Sequence, residues 1–264
     1  MKTKIKTAKK CLQVLPLLFL VFGSTISFAQ KAASWQLEKM PVALETDFAL
    51  SALPPQLRPG ATIYLLDPNK GYYIARKGSN GFVCYVNRTG WEWADFRTDV
   101  AAAIGFDAAG ASTIFRVDQD VAAMRASGKF TAVQIRDLVV DRIKKGIYKA
   151  PARAGISYML GPVMRTYTGT PVSKEVMTMN MPHYMFYAPY ITNTDIGNIP
   201  NGQADGPVVI NAGDLLLGTG KGPFGYMILG AGETEKAKII ASNTDVLKRL
   251  IAYKPYFKAA AGMH

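Results

Sequence analysis

The sequence predicts an α+β single domain: a mainly antiparallel sheet, a central helical segment and a C-terminal helix. Three observations lead there. Short β-branched and aromatic runs separated by turn residues fill positions 61–88, two helix-patterned stretches occupy the middle, and short strand-like runs return after Pro151. Strands, then helices, then strands argue against a parallel sheet built from alternating βαβ units. A chain of 264 residues that is 49% hydrophobic and 19% charged can bury a core, which excludes disorder and collagen-like repeats.

Residues 1–29 read as a secretory signal peptide. Met1–Lys10 carries five lysines and no acid, Leu12–Phe22 is an apolar run of 11 residues broken only by Gln13 and Pro16, and Ser27-Phe28-Ala29 supplies small residues for cleavage. A membrane span needs about 20 apolar residues, so the run is too short to be one, and no transmembrane segment is expected in the mature chain. The expectation is an exported protein, periplasmic or secreted, with residues 30–264 as one domain. Within it 30–40 reads as a flexible lead and 231–264 as a C-terminal helical extension.

From the N-terminus, Pro41–Leu53 reads as a helix ended by Pro54-Pro55. Ala61–Leu66, Gly71–Lys77 and Gly81–Arg88 read as a three-stranded antiparallel meander, turned at Asp67-Pro68-Asn69-Lys70 and Gly78-Ser79-Asn80. Trp91–Ile104 and Ser112–Ala126 read as helices, the second with Ile114, Val117, Val121 and Met124 on one face. Another begins at Thr131 with Gln134 three residues on, a capping-box pattern, and ends at Gly146. Gly155–Leu160, Val163–Thr168, Val176–Tyr187, Pro207–Ile210 and Phe224–Leu229 read as strands, and Ser242–Tyr253 as the last helix.

Charge and cysteine narrow the function classes. The formal charge is +12, but five of the basic residues belong to the leader, leaving +7 in short dispersed clusters such as Lys144-Lys145 and Lys248-Arg249. No dense basic stripe with stacking aromatics is present, so no nucleic-acid partner is expected. The expected partner is a small molecule or a cell-envelope component. Without the leader only Cys84 remains, so no internal disulfide is available.

Several motifs have bland readings. Gly220, Gly222 and Gly225 form a GxGxxG, but a strand pattern follows where a dinucleotide site needs a helix, so the segment reads as a β-turn. Asp67, Asn69 and Gly71 resemble the start of a calcium loop without its closing glutamate. HExxH and CxxCH are absent. Of the acids, Asp195, Asp205 and Asp214 stand near loop glycines.

Two constellations carry sharper chemistry. Met177, Met179, Met181, His183 and Met185 are spaced by two, so an extended strand would put them on one face. Thioethers with an imidazole suit Cu(I) or Ag(I), making Met179, Met181, His183 and Met185 a candidate copper site. Against this, neighbours two apart on a strand stand about 6–7 Å apart, and methionine is a common core filler. Cys84 with His183 offers a thiol nucleophile and an imidazole base, a Cys/His-type hydrolase. Against that, Cys84 falls within a strand pattern, whereas reactive cysteines more often start helices. A third reading makes His183, Tyr187, Tyr190, Asn193 and Asp195 a ligand-binding surface, an aromatic strand leading into a polar loop. The preferred expectation is this non-catalytic binding or interaction module, with no cofactor, and with copper binding and the hydrolase as alternatives.

Asn80-Gly81-Phe82-Val83-Cys84, Gly155–Leu160, Pro182–Tyr190 and Asn193–Gly197 together resemble a family of exported bacterial proteins to which no activity is attached. The similarity spans Ala52–Ile210, and the PHxMFYAPY string is its most specific part. It implies an exported single-domain protein and no particular chemistry. Members carry a second cysteine just before the counterpart of Asp107–Gly110, where this chain has Gly105-Phe106. The resemblance therefore implies that Cys84 is the remaining half of a lost pair. Met177 and Met179 stand outside the shared string, while His183 and Met185 belong to it.

Overall fold

The structure, a computed structural model, describes residues 36–168, 173–197, 208–211, 214–217 and 221–262. The expected leader at 1–29, the start of the lead, Asp205, the Asp214 side chain, Gly220 of the glycine-rich loop and His264 lie outside the described residues.

β1 (Thr62–Asp67) and β2 (Gly71–Arg76) form the expected antiparallel hairpin. At its turn the Asn69 N–H donates to Asp67 Oδ1 at 2.8 Å, so these residues close a turn. β3 (Val83–Asn87) corrects the meander: it pairs with β1, parallel, with Thr62 opposite Val83. Gly78, Ser79 and Asn80 carry the chain across the start of β1. The N–H groups of Ser79 and Asn80 both donate to Gly60 O, at 2.7 and 3.1 Å, and the Gly78 N–H donates to Thr62 Oγ1 at 2.9 Å. Turn-forming residues announce a change of direction but not the side on which the next strand joins.

The helix expected over Trp91–Ile104 is replaced by a loop and then β4 (Ala102–Phe106), antiparallel to β3. The alanines that favour a helix serve another purpose. α1 (Val42–Ser51) lies against β1, β3 and β4, and a Cβ on Gly105 would stand 2.3 Å from Leu53 Cδ2. Small residues at Ala101, Ala103 and Gly105 let α1 settle close to the sheet, so packing overrides intrinsic propensity. The preceding loop is fastened by Trp93 stacked on Tyr167, with ring centroids 4.2 Å apart, and by Asp99 between Arg97 and Arg165, each at 2.7 Å.

β5 (Ile156–Met159), β6 (Met164–Tyr167), β9 (Val208–Asn211) and β10 (Gly225–Gly230) match the expected runs within a residue or two. The run Val176–Tyr187 does not form one strand. β7 (Val176–Met179) pairs with β6 in a two-stranded sheet, whereas β8 (His183–Tyr187) enters the main sheet between β5 and β10. Asn180-Met181-Pro182 separates them, and Pro182 has no N–H with which to continue a ladder. The main sheet runs β2-β1-β3-β4-β5-β8-β10-β9 and is antiparallel except at β1–β3.

Helices cover both faces unevenly. On one side Ile63, Leu65, Cys84, Val86 and Ala103 pack beneath α1, with α6 (Thr244–Tyr253) behind it. On the other, Tyr85, Phe106, Met185, Tyr187 and Tyr226 pack around Phe115 of α2 (Ala108–Ala126). α3 (Ala132–Lys144) packs on α2 and starts with the expected Thr131/Gln134 capping box. α4 (Asp214–Leu217) is a single turn, and α5 (Glu233–Ser242), a second helix in the C-terminal extension, precedes α6.

Asp107 joins helix to sheet. Its carboxylate caps α2 by accepting from the Gly110 N–H at 2.9 Å, and accepts from the Tyr187 hydroxyl at 2.8 Å and the Ile156 N–H at 3.3 Å. Asp107→Ala is expected to cost about 1–2 kcal/mol, chiefly the lost cap, since the Tyr187 hydroxyl keeps Ile156 O as an acceptor. Urea denaturation measures it; a loss under about 0.5 kcal/mol would mean that this junction does not hold α2 to the sheet.

Candidate functional site

β8 is where the expected site residues meet, and alternation sends them to opposite faces. His183, Met185 and Tyr187 turn inward on the α2 side, while Tyr184 and Phe186 turn to the other face. His183 is buried, and burial pushes its pKa down, so the imidazole is neutral near pH 7. Its Nδ1 lies 2.7 Å from the Met181 carbonyl oxygen. A carbonyl only accepts, so Nδ1 carries the proton and the lone pair sits on Nε2.

The other expected ligand residues are mostly occupied in holding the fold. Tyr187 is buried, its one hydroxyl proton lying between two acceptors, Asp107 Oδ1 at 2.8 Å and Ile156 O at 2.9 Å. Asn193 binds both the N–H and C=O of Val209, at 2.7 and 3.0 Å, and so covers part of the free edge of β9. Asp195 accepts from the Thr192 N–H and hydroxyl and pairs with Lys221 at 3.1 Å, which together lower its pKa. Tyr190 alone presents an open ring, 56% exposed.

Cys84 and His183 are not brought together. Cys84 stands opposite Gly105, Gly105 opposite Tyr158, and Tyr158 opposite Tyr184, so the thiol is three strands from β8, about 14 Å at the usual spacing. It also faces the α1 side, whereas His183 faces the α2 side. Cys84 is fully buried, and burial raises its thiol pKa to about 12. This is a core residue without the activated thiolate that nucleophilic catalysis needs.

The methionine ladder is broken by the gap between β7 and β8. Met185 enters the core beside Tyr85 and Phe115, and Met177 is an exposed residue opposite Thr166. Met179 stands opposite Met164 across the β6–β7 pair, and Met159 opposite His183 across β5–β8. Met159, Met164 and Met181 line one cavity of about 10 Å³ with Ala103, Gly161 and Val163. Met159 and Met164 escape a one-dimensional reading because they join the group only through strand pairing.

Strand pairing also reveals a surface absent from the expected set. The row Cys84, Gly105, Tyr158, Tyr184, Leu229 runs across one face, and Ile156, Phe186 and Met227 form the adjoining row. α1 covers the Cys84–Gly105 end. Beyond it Tyr158 and Tyr184 are half-buried, with ring centroids 5.8 Å apart, while Phe186 is 42% and Leu229 49% exposed. Phe82 adds a ring 6.1 Å from Tyr158, and Tyr184 donates its hydroxyl to Glu235 of α5. The signal was the HYMFY sequence of β8: a strand apolar on both faces needs a cover on both.

Two interior carboxylates were also illegible. Asp118 of α2 accepts from the Tyr85 hydroxyl, and Glu45 of α1 accepts from the Leu66 N–H at 2.8 Å. Burial raises both pKa values to about 7. No family model, no curated protein and no solved structure matches this chain.

Proposed function

We propose that the protein is an exported, non-catalytic interaction module whose contact surface is the uncovered half of the sheet. The carrying observation is the uneven cover of that face. Helix α1 shields β1, β3 and β4, while on the continuing apolar rows Phe186 and Leu229 stand exposed, and α5 meets the rows through the Tyr184–Glu235 hydrogen bond. Exposed contiguous apolar and aromatic surface is characteristic of interaction sites, because aromatic rings contribute large contact area at low entropic cost. The charged, apolar and small-residue pattern of residues 1–29 supports export, and with it a partner in the cell envelope or outside. Tyr190, 56% exposed, follows the C-terminal end of β8, where its N–H donates to Gly222 O at 2.8 Å.

The test is site-specific photocrosslinking in the producing cell. A crosslinking side chain at Phe186 or Leu229 is expected to give discrete adducts, and one at Lys129, in the exposed turn after α2, none. Tyr184→Ser is expected to reduce the Phe186 adduct at least tenfold while the protein stays folded. Adducts equal at all three positions, or absent at Phe186 and Leu229, overturn the reading.

A further inference from the structure

We propose that Met159, Met164 and Met181, with His183 as a fourth donor, form a site for one soft monovalent cation of the Cu(I) class. Thioethers and a neutral imidazole are the side chains that such an ion prefers. The set differs from the ladder read along the sequence, since Met177, Met179 and Met185 are excluded and Met159 and Met164 are added by the fold. The proposal is independent of the interaction surface, because Tyr184, Phe186 and Leu229 take no part in the lining of the cavity.

Two separate observations support it. Methionines that merely fill gaps close the space between them, whereas these three surround a cavity of about 10 Å³, room for one atom-sized guest. The remaining lining, Ala103, Gly161 and Val163, offers no carboxylate or thiolate side chain, so calcium finds no ligands of its kind there. The second observation is the imidazole. His183 stands opposite Met159 in register, and its Nδ1–H is held by the Met181 carbonyl, leaving Nε2 with a lone pair. Metal-binding histidines are commonly oriented this way, by a backbone carbonyl on the other ring nitrogen. Met181 supplies both that carbonyl and a thioether, so the residue that fixes the imidazole also borders the cavity. It is 43% exposed, which gives an ion a route from solvent, whereas Met164, in the same lining, is buried.

The experiment uses the folded chain and Ag(I), with Cu(I) under reductant as the second probe. Native mass spectrometry is expected to show one ion per chain, and methyl NMR to show the Met159, Met164 and Met181 signals moving together and saturating at one equivalent. Met159→Leu and Met164→Leu keep volume and are tolerated in cores, so they test the sulfur without emptying the site. Each is expected to weaken binding at least tenfold, while Met177→Leu and Met185→Leu leave it unchanged. No retained ion, retention undiminished in the Met159→Leu/Met164→Leu double variant, or shifts confined to Met177 overturn the proposal.

Discussion

Gly78→Ala is expected to cost about 3 kcal/mol or more, the upper end of what overpacking does. A Cβ at this position would stand 2.2 Å from Gly60 O, 2.3 Å from Ala61 C and 2.4 Å from Thr62 N. These are backbone atoms, and they cannot swing aside as a side chain would. Gly60 O accepts from two N–H groups of the crossing segment, and the Thr62 N–H donates to Phe82 O at 2.8 Å. Relief therefore requires lifting the crossover away from β1, which loosens the one parallel pairing in the sheet. Gly81→Ala is the comparison: its φ of +79° disfavours alanine, but nothing lies within 4 Å of the added Cβ. It is expected to cost about 1 kcal/mol. Urea denaturation of both variants separates the two mechanisms, and equal, small losses would mean that the chain does not cross so closely over β1.

That crossover also shows where reading the chain in one dimension stops. Turns and caps act within four or five residues, so the Asp67–Gly71 hairpin, the Thr131/Gln134 box and the final helix were legible. The partner of β3 depends on which side of β1 the chain passes, and no local signal encodes that. Ala101–Phe106 misled because small side chains suit both a helix and a strand lying close under one. The site divides in the same way. His183 stood out as a rare residue in a distinctive string, but its neighbours were read along a strand that Asn180-Met181-Pro182 breaks. Met159 comes to face it only through β5–β8 pairing. Asp118 and Glu45 were invisible for a different reason: an acid on a helix ordinarily marks its solvent face, and here both are turned into the core.

Those two acids give the second large expectation, a fold more stable at pH 5 than at pH 8. Burial raises Glu45 from 4.5 to about 7, opposed by the Leu66 N–H and by the positive charges of Arg88 and Lys39. It raises Asp118 from 3.8 to about 7, opposed by the Tyr85 hydroxyl and reinforced by the negative Glu92. In both, the folded pKa lies above the unfolded one, so between about pH 4 and 7 the native state holds more protons than the unfolded chain. Stability in that window must fall as pH rises. Each rise corresponds to roughly 3–4 kcal/mol if the interior does not relax, and relaxation reduces their combined effect to about 3–5 kcal/mol. For a chain of this size that is on the order of 10 °C in Tm. Asp99, held down to about 2 chiefly by Arg97 and also by Arg165, works in the opposite sense but only in more acidic solution. The optimum therefore falls near pH 4–5. Glu45→Gln and Asp118→Asn keep an acceptor for Leu66 and Tyr85 while removing the titration, so each is expected to flatten the profile and raise Tm at pH 8. A Tm that is flat or rises from pH 5 to pH 8, or a slope unchanged in both variants, would mean that these carboxyls reach solvent and ionise without cost.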